Sequence, residues 1–263
     1  MKIAIIGAGN MGGAIARGMA NGSVIKASDI TCSDRSRESL DKIKATHPGI
    51  QVTSDNREAV KNANIVLLAV KPWLAEVVIH EIKPCLNYDE QIVISIMAGL
   101  TFEQLSQYLE RDDQPSPALF RLIPNTAIDV QSSMTFIAAQ DAAQTQTDLV
   151  VRIFNELGET LVVEERLMAA CTALSSCGIA FAFRYIRAAM EGGIELGIYP
   201  GQARNIVLQT LKGAIDLLLA HGTHPEVEID KVTTPGGITI KGLNEMEHAG
   251  FTSAVIRGLK ASK

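Results

Sequence analysis

The chain opens with a short apolar run, Lys2-Ile3-Ala4-Ile5-Ile6, that passes directly into Gly7-Ala8-Gly9-Asn10-Met11-Gly12. An apolar run, a glycine-punctuated turn and the amphipathic stretch Ala14 to Ala20 read as strand, turn and helix. Gly7 permits the tight turn, Gly9 leaves the backbone bare for a pyrophosphate, and Gly12 lets the helix pack closely on the strand. The helix start adds unpaired N–H groups and the positive end of a dipole. Asp34 closes the next apolar segment roughly twenty residues later, where loops of this kind place an acceptor for a ribose hydroxyl. A glycine pattern alone carries little; the strand before it and the helix after it carry the inference of a dinucleotide site.

The first half alternates short β-rich runs with helical ones, the pattern of a parallel sheet covered by helices on its faces. Candidate strands are Ile30–Ser33, Gln51–Thr53, Ile65–Val70, Gln91–Ile96 and Leu119–Ile123, with Met134–Ala138 and Thr160–Val163 extending the sheet. Candidate helices are Ser36–Thr46, Arg57–Asn62, Leu74–Pro84, Thr101–Glu110 and Thr145–Leu157, with Ser36 and Thr101 as N-caps. Asp112 to Pro117 reads as a polar loop bearing proline. After Glu165 the β signal ends. Phe183, Ile186, Met190 and Ile194 form one apolar stripe at helical spacing, and Val207, Leu211, Ala214 and Leu218 form another. The fold class is therefore α/β, an N-terminal Rossmann-type parallel sheet domain (1–164) followed by an all-α domain (165–263). The helical half carries more apolar surface than a monomer hides, which predicts a homodimer through these helices.

Composition narrows the function. A net charge of −5 supplies no basic field for nucleic acid or anionic lipid, so a small-molecule partner is expected. No secretion signal is read at the N-terminus, because the apolar run breaks at Gly7. Leu167 to Phe183 carries no charge, but Thr172, Ser175, Ser176 and Gly178 interrupt it, so a core or interface helix is expected and no membrane span. Cys32, Cys85, Cys171 and Cys177 lack metal-ligand spacing and read as reduced core thiols of a cytoplasmic protein. The five histidines form no HxH or HxxxH pair, and no metal is expected.

Ligands of open parallel sheets bind beyond the carboxyl ends of the strands. Three segments lie there: Ala69-Val70-Lys71-Pro72, Ser95-Ile96-Met97-Ala98-Gly99, and Arg121-Leu122-Ile123-Pro124-Asn125. Each also reads as ordinary loop punctuation. A second glycine turn, Thr233-Thr234-Pro235-Gly236-Gly237-Ile238-Thr239, leads into the helical pattern Ile240 to Ala249. There the N–H groups of Gly237, Ile238 and Thr239 are expected to point outward and suit a carboxylate, with hydroxyls from Thr234 and Thr239; a plain helix–helix connection is the alternative.

The segments GAGNMG, AVKP, SIMAG, RLIPN and above all TTPGGITIKGLNEME, in this order and spacing, resemble the pyrroline-5-carboxylate reductase family over essentially the whole chain. The resemblance implies reduction of the cyclic imine Δ1-pyrroline-5-carboxylate to L-proline with NADPH or NADH, a dimerising helical domain, and in many members a decamer of five dimers. It implies cofactor contacts from Ile6, Gly7, Ala8, Gly9, Asn10, Met11 and Asn56, with Asp34 and its neighbours at the adenosine ribose. Ala69, Val70, Lys71, Pro72 and Ala98 would meet the nicotinamide half. Glu165 would hold the substrate ring amine, and Thr234, Gly237, Ile238 and Thr239 its carboxylate and ring nitrogen. Thr239 would orient or help protonate that nitrogen as the catalytic residue.

The chain departs from the family pattern in three places. Ser175-Ser176-Cys177-Gly178-Ile179-Ala180-Phe181 lacks the usual proline and tyrosine, Ile238 replaces a small residue, and Lys231 stands where some relatives have asparagine. These changes crowd and dry the pocket. Asp34 favours NADH, whereas Arg35, Ser36 and Arg37 form a cradle for a 2′-phosphate; NADPH is the preferred reading. Rivals are a cofactor-binding regulator of the same fold without turnover and a reductase of a related cyclic imine. A β-hydroxyacid dehydrogenase needs an interdomain lysine, and none occurs between Lys83 and Lys212.

Overall fold

The apolar runs of the first half become eight strands of one sheet: β1 Ile3–Ile6, β2 Ile30–Ser33, β3 Gln51–Thr53, β4 Ile65–Leu68, β5 Ile92–Ser95, β6 Ala118–Ile123, β7 Ser133–Gln140 and β8 Gly158–Val162. The computed structural model describes residues 1–112 and 114–263; Asp113, inside the polar loop expected at 112–117, lies outside the described residues. Strand order is β3-β2-β1-β4-β5-β6-β7-β8. All neighbours are parallel except β6 and β7, which run antiparallel. Chain order reverses on the two sides of β1, so a crevice opens at its carboxyl end.

Alternation along β1 sets the two faces. Ile3 and Ile5 pack with α1 (Asn10–Asn21), α2 (Arg37–Thr46) and α6 (Gln144–Phe154) through Ile15, Met19, Ile43 and Phe154. Ala4 and Ile6 pack with α3 (Asn56–Val60), α4 (Ala75–Ile82) and α5 (Phe102–Leu109) through Val60, Ile79, Ile82 and Phe102. A strand buried on both faces needs an apolar residue at every position, and β1 has one. Both expected caps are present: Ser36 Oγ accepts from Ser39 N, and Thr101 forms a capping box with Gln104.

Glycines seat α1. Gly7 has φ +103°, and a Cβ there would lie 2.8 Å from the Ala69 carbonyl. A Cβ on Gly12 would collide with the Gly7 carbonyl oxygen, so the helix lies against the turn that launches it. Gly9 faces open space.

Contacts divide the chain into two units, Met1–Ser176 and Cys177–Lys263, whereas the expected domain boundary lies earlier, at 164/165. Residues 165–176 include α7 (Met168–Cys171) and most of a π-helical stretch, Thr172–Cys177, and side chains tie them to the sheet. Arg121, nearly buried on β6, pairs with Glu165 at 2.5 Å, and the same carboxylate oxygen accepts from Phe102 N at 2.7 Å. Asn125 Nδ2 donates to Ser175 Oγ at 2.9 Å, and Ser176 Oγ donates to the Pro124 carbonyl at 3.0 Å.

The second unit consists of α8 (Gly178–Glu195), α9 (Pro200–His221), α10 (Pro225–Val232), α11 (Ile238–His248) and α12 (Phe251–Ala261). Helices α8 and α9 approach closely where Gly193 faces Ala203. Ala203 is the sole fully buried apolar residue of this unit among the described residues, while Phe183, Leu196, Ile215 and Leu219 are exposed. The two stripes read from the sequence are present, but Phe183 and Ile194 on them stay open to solvent. An apolar cavity of about 540 Å³ lies among Phe181, Tyr185, Phe251 and Val255. Glu165–Glu195 is long and apolar enough to cross a membrane by length and composition, and little of it is buried within the chain.

Gly12→Ala is expected to lower the melting temperature by on the order of 5–10 °C through overpacking against backbone, while Gly9→Ala changes it by less than ~3 °C; thermal unfolding of both variants measures this. Arg121→Met should cost roughly 1.5–2.5 kcal/mol in urea denaturation, below the range for a fully buried pair because Glu165 is about one-third exposed and keeps its Phe102 N–H. A double-mutant cycle with Glu165→Gln that returned no coupling would remove this ion pair from the account of stability.

Candidate functional site

The β1 exit, the loop to α1 and the start of α1 build an anion cradle. Gly9 is the N-cap of α1 and offers no side chain to the first-turn amides, and that turn holds no acidic residue. The N–H groups of Asn10, Met11 and Gly12 therefore lack intrahelical acceptors and point beyond the helix end. The open space above Gly9 is what a phosphate needs and what a Cβ would fill. This geometry fits a dinucleotide pyrophosphate.

A cavity of about 560 Å³ continues from the loop. Its walls come from Gly7, Gly9, Asn10 and Met11, from Asp34 and Arg35 after β2, from Asn56 on α3, and from Ala69, Val70 and Lys71 after β4. All of these were expected. Ser33, Leu74, Val78 and Ile96 also line it and were not singled out from the sequence as cofactor contacts. Leu74 and Val78 lie one helical turn apart just after the AVKP segment, a spacing that could have found them. Ile96 belongs to the segment after β5, whereas Ala98, the residue of that segment expected at the cofactor, is exposed and does not line the cavity.

Other expected residues act from behind the surface or outside it. Ile6 is sealed in the core, Gly12 is a packing position, and Pro72 opens a short 3-10 turn. Ala8 is almost fully buried, and its N–H donates to Asp34 Oδ2 at 2.7 Å. Ser36 caps α2 and donates its own N–H to Asp34 Oδ1 at 2.7 Å. The amide of Asn56 is held on both sides, accepting from Ser33 Oγ at 2.6 Å and donating to Glu81 at 3.1 Å. Arg35 and Lys71 have no ion-pair partner among the described residues. A second cavity of about 430 Å³ shares Gly9, Asn10 and Met11 with the first and is bordered by Arg17 and Lys42.

Burial, followed by the Asp34 charge, pushes the Cys32 thiol up to about 12, so it stays protonated and unreactive at neutral pH. All four cysteines are free, but only Cys32 is a core residue; Cys85, Cys171 and Cys177 are half-buried, which corrects the expectation of four core thiols. No cluster suited to a metal ion occurs among the described residues.

The second cradle lies between α10 and α11. Thr234-Pro235-Gly236-Gly237 forms a tight turn in which Gly236 has φ +74° and Gly237 N donates to the Thr234 carbonyl at 2.9 Å. Proline followed by a glycine of positive φ is the signature of a type II turn, and its closing bond consumes the Gly237 N–H. This corrects the expectation of three outward amides. Ile238 and Thr239, at the first positions of α11, carry the outward N–H groups. Gly237 also leaves room for the Thr234 hydroxyl, which a Cβ would meet at 2.6 Å. Ile238 is 88% exposed.

Behind this turn, Glu228 accepts from Lys231 at 2.7 Å and Thr223 at 2.6 Å. The Lys231 bond, then the Thr223 bond, hold its carboxyl down to about 2. The ammonium of Lys231 is thus tied back within its own helix corner. Glu165, expected at the substrate amine, spends Oε1 on Arg121 and Phe102 N, and Oε2 has no hydrogen-bond partner among the described residues.

Comparison with known proteins places these features in a family. Residues 165–263 match the family model described as pyrroline-5-carboxylate reductase dimerisation, and residues 2–99 match that described as NADP oxidoreductase coenzyme F420-dependent. Pyrroline-5-carboxylate reductase 2 of Dictyostelium discoideum is 38% identical over 99% of this chain and 90% of its own length. Pyrroline-5-carboxylate reductase 1 of the same organism is 39% identical over 99% of this chain, which spans about half (48%) of that longer relative. Among solved structures, Plasmodium falciparum pyrroline carboxylate reductase with NADP bound superposes with a TM-score of 0.89 at 27% identity, covering 100% of this chain and 95% of that one. With a relative 38% identical over both halves and a family model matching residues 165–263, the chain belongs to the pyrroline-5-carboxylate reductase family.

Proposed function

We propose that this protein reduces L-1-pyrroline-5-carboxylate to L-proline with NAD(P)H, the last step of proline biosynthesis. The observation that carries the reading is the turn at Thr234–Thr239, which offers two outward amides and two hydroxyls to a small carboxylate, on a chain whose other glycine loop is shaped for a dinucleotide. NAD(P)H, when bound, supplies the hydride. An imine carbon already accepts hydride, so the protein's task is placement: the reacting carbons must come within ~3–3.5 Å with one face presented. The bond order falls from C=N to C–N, the carbon gains hydride and the nitrogen gains a proton, which leaves a secondary amine.

In this reading the N–H groups of Ile238 and Thr239 hold the substrate carboxylate, with the Thr234 hydroxyl beside them. Thr239 orients the ring nitrogen and helps pass it a proton, a role that needs no strongly shifted base. Glu165, with one carboxylate oxygen uncommitted, is the candidate partner of the ring amine. On the cofactor side, the loop from Gly7 to Gly12 holds the pyrophosphate, Asp34, Arg35 and Ser36 stand at the adenosine ribose, and Asn56 with Ala69 to Lys71 line the rest of the cavity. NADPH is the preferred donor, with NADH accepted.

The division of labour is a dinucleotide-binding domain at 1–164 and a substrate-binding, dimerising domain at 165–263. The open apolar faces of α8 and α9 support a homodimer through these helices, and that dimer is the unit of a decamer. In this reading the same interface covers the uncharged stretch within Glu165–Glu195, and the enzyme works in the cytoplasm on a small molecule, with neither membrane nor nucleic acid as partner.

Thr239→Ala is expected to lower kcat by roughly 10²-fold, the lower end of the range for a lost proton-transfer group, while NADPH affinity stays within ~2-fold; steady-state kinetics on pyrroline-5-carboxylate with NADPH and with NADH, scored by proline formed, checks both. Cofactor binding with no turnover in the unaltered protein would instead identify a regulator. Phe183→Asp combined with Ile215→Asp should raise the dimer dissociation constant by about 10²-fold or more, seen as monomer in sedimentation equilibrium.

A further inference from the structure

Asp34 stands where a Rossmann-type fold places the carboxylate that accepts from a ribose 2′-hydroxyl. Its geometry here is different. Oδ2 accepts from Ala8 N and Oδ1 from Ser36 N, both at 2.7 Å, the short range of bonds to an ionised acceptor. Ala8 lies between Gly7 and Gly9 and is almost fully buried, so its N–H requires an acceptor within the protein. The turn has little else to hold it. Gly7 N donates to the Ser33 carbonyl and Gly13 N to the Gly9 carbonyl, and no other side chain bonds a backbone group from Gly7 to Gly12 among the described residues.

The carboxylate therefore bridges the middle of the phosphate loop and the start of α2. Arg35, the next residue, is exposed, lines the same cavity and has no ion-pair partner among the described residues. Arg37 is turned toward Asp41 at 3.9 Å, and Glu38 pairs with Lys42 at 2.7 Å. Arg35 is thus the one charge beside Asp34 left uncommitted by its neighbours on α2.

We propose that Asp34 is a positioning residue that clamps the glycine loop through Ala8, and that Arg35, not Asp34, discriminates a 2′-phosphate from a 2′-hydroxyl. The proposal rests on the NAD(P)H-dependent reading above. It reverses what the carboxylate's position alone suggests, since an acceptor for a ribose hydroxyl acts on one nucleotide more than the other. A clamp acts on both.

The test uses binding of the oxidised nucleotides NADP⁺ and NAD⁺ by calorimetry to the full chain, together with the melting temperature of the nucleotide-free protein. Asp34→Ala is expected to weaken both nucleotides by roughly tenfold or more, to keep the ratio of their dissociation constants within ~3-fold, and to lower the nucleotide-free melting temperature. Asp34→Asn retains one acceptor oxygen and should fall between; it carries the test if the alanine variant does not fold. Arg35→Gln should shift the ratio against NADP⁺ by roughly tenfold with the nucleotide-free melting temperature unchanged. A gain in NADP⁺ affinity in either Asp34 variant, or a tenfold change of ratio without loss of thermal stability, overturns the clamp. An unaltered protein that binds neither nucleotide overturns the proposed function instead, and the melting temperatures still decide whether Asp34 holds the loop.

Discussion

Backbone amides that no helix can satisfy, brought to the surface by glycine turns, are the constraint on which this structure depends. At α1 the turn works because three positions lack a Cβ for three different reasons: φ at Gly7, contact with the Gly7 carbonyl at Gly12, and open approach at Gly9. Moving α1 away from β1 to make room for one methyl group would also move Ile15 and Met19, which pack against β1 on that face of the sheet. The ligand cradle and the core therefore share one set of atoms, and the loop's shape is a property of the whole first unit.

The second unit follows a different logic. Its helices are well formed, yet Phe183, Leu196, Ile215 and Leu219 find no cover within the chain. Apolar surface of this extent is stable in water only when something buries it, and the match of residues 165–263 to a dimerisation family agrees with that demand. The segment 165–176 belongs by side-chain tethers to the sheet, through Arg121–Glu165, Asn125–Ser175 and Ser176–Pro124, although its helical pattern begins a new half of the sequence. A π-helical stretch stands at this passage, where the ladder of i to i−4 bonds is interrupted.

Much of this was legible in the residues. Runs such as Ile3–Ile6 and Ile65–Leu68 announce strands because apolar residues on both faces suit only a covered sheet, and Ser36 and Thr101 announce helix starts because their oxygens satisfy first-turn amides. Strand ends were less legible: Val70 and Gln91 are apolar or strand-compatible, but β4 stops at Leu68 and β5 begins at Ile92, since pairing with neighbouring strands decides where a ladder closes. The glycine loop and most of the residues lining the cavity beside it were readable, while the lining by Val78 and Ile96 depends on how helices and loops lean over the sheet.

Sequence alone determined the element types, the doubly covered sheet, the two glycine turns and the family, because each rests on local periodicity, on residues that tolerate a special backbone or on motifs read in order. Tertiary structure alone decided the antiparallel step from β6 to β7, the pairing of Arg121 with Glu165 across the fold, and the engagement of Asp34 with Ala8. It also decided that Gly237 spends its N–H inside the turn. These are hydrogen-bond and charge partnerships between groups whose separation along the chain says nothing of their distance in space, so only packing selects them.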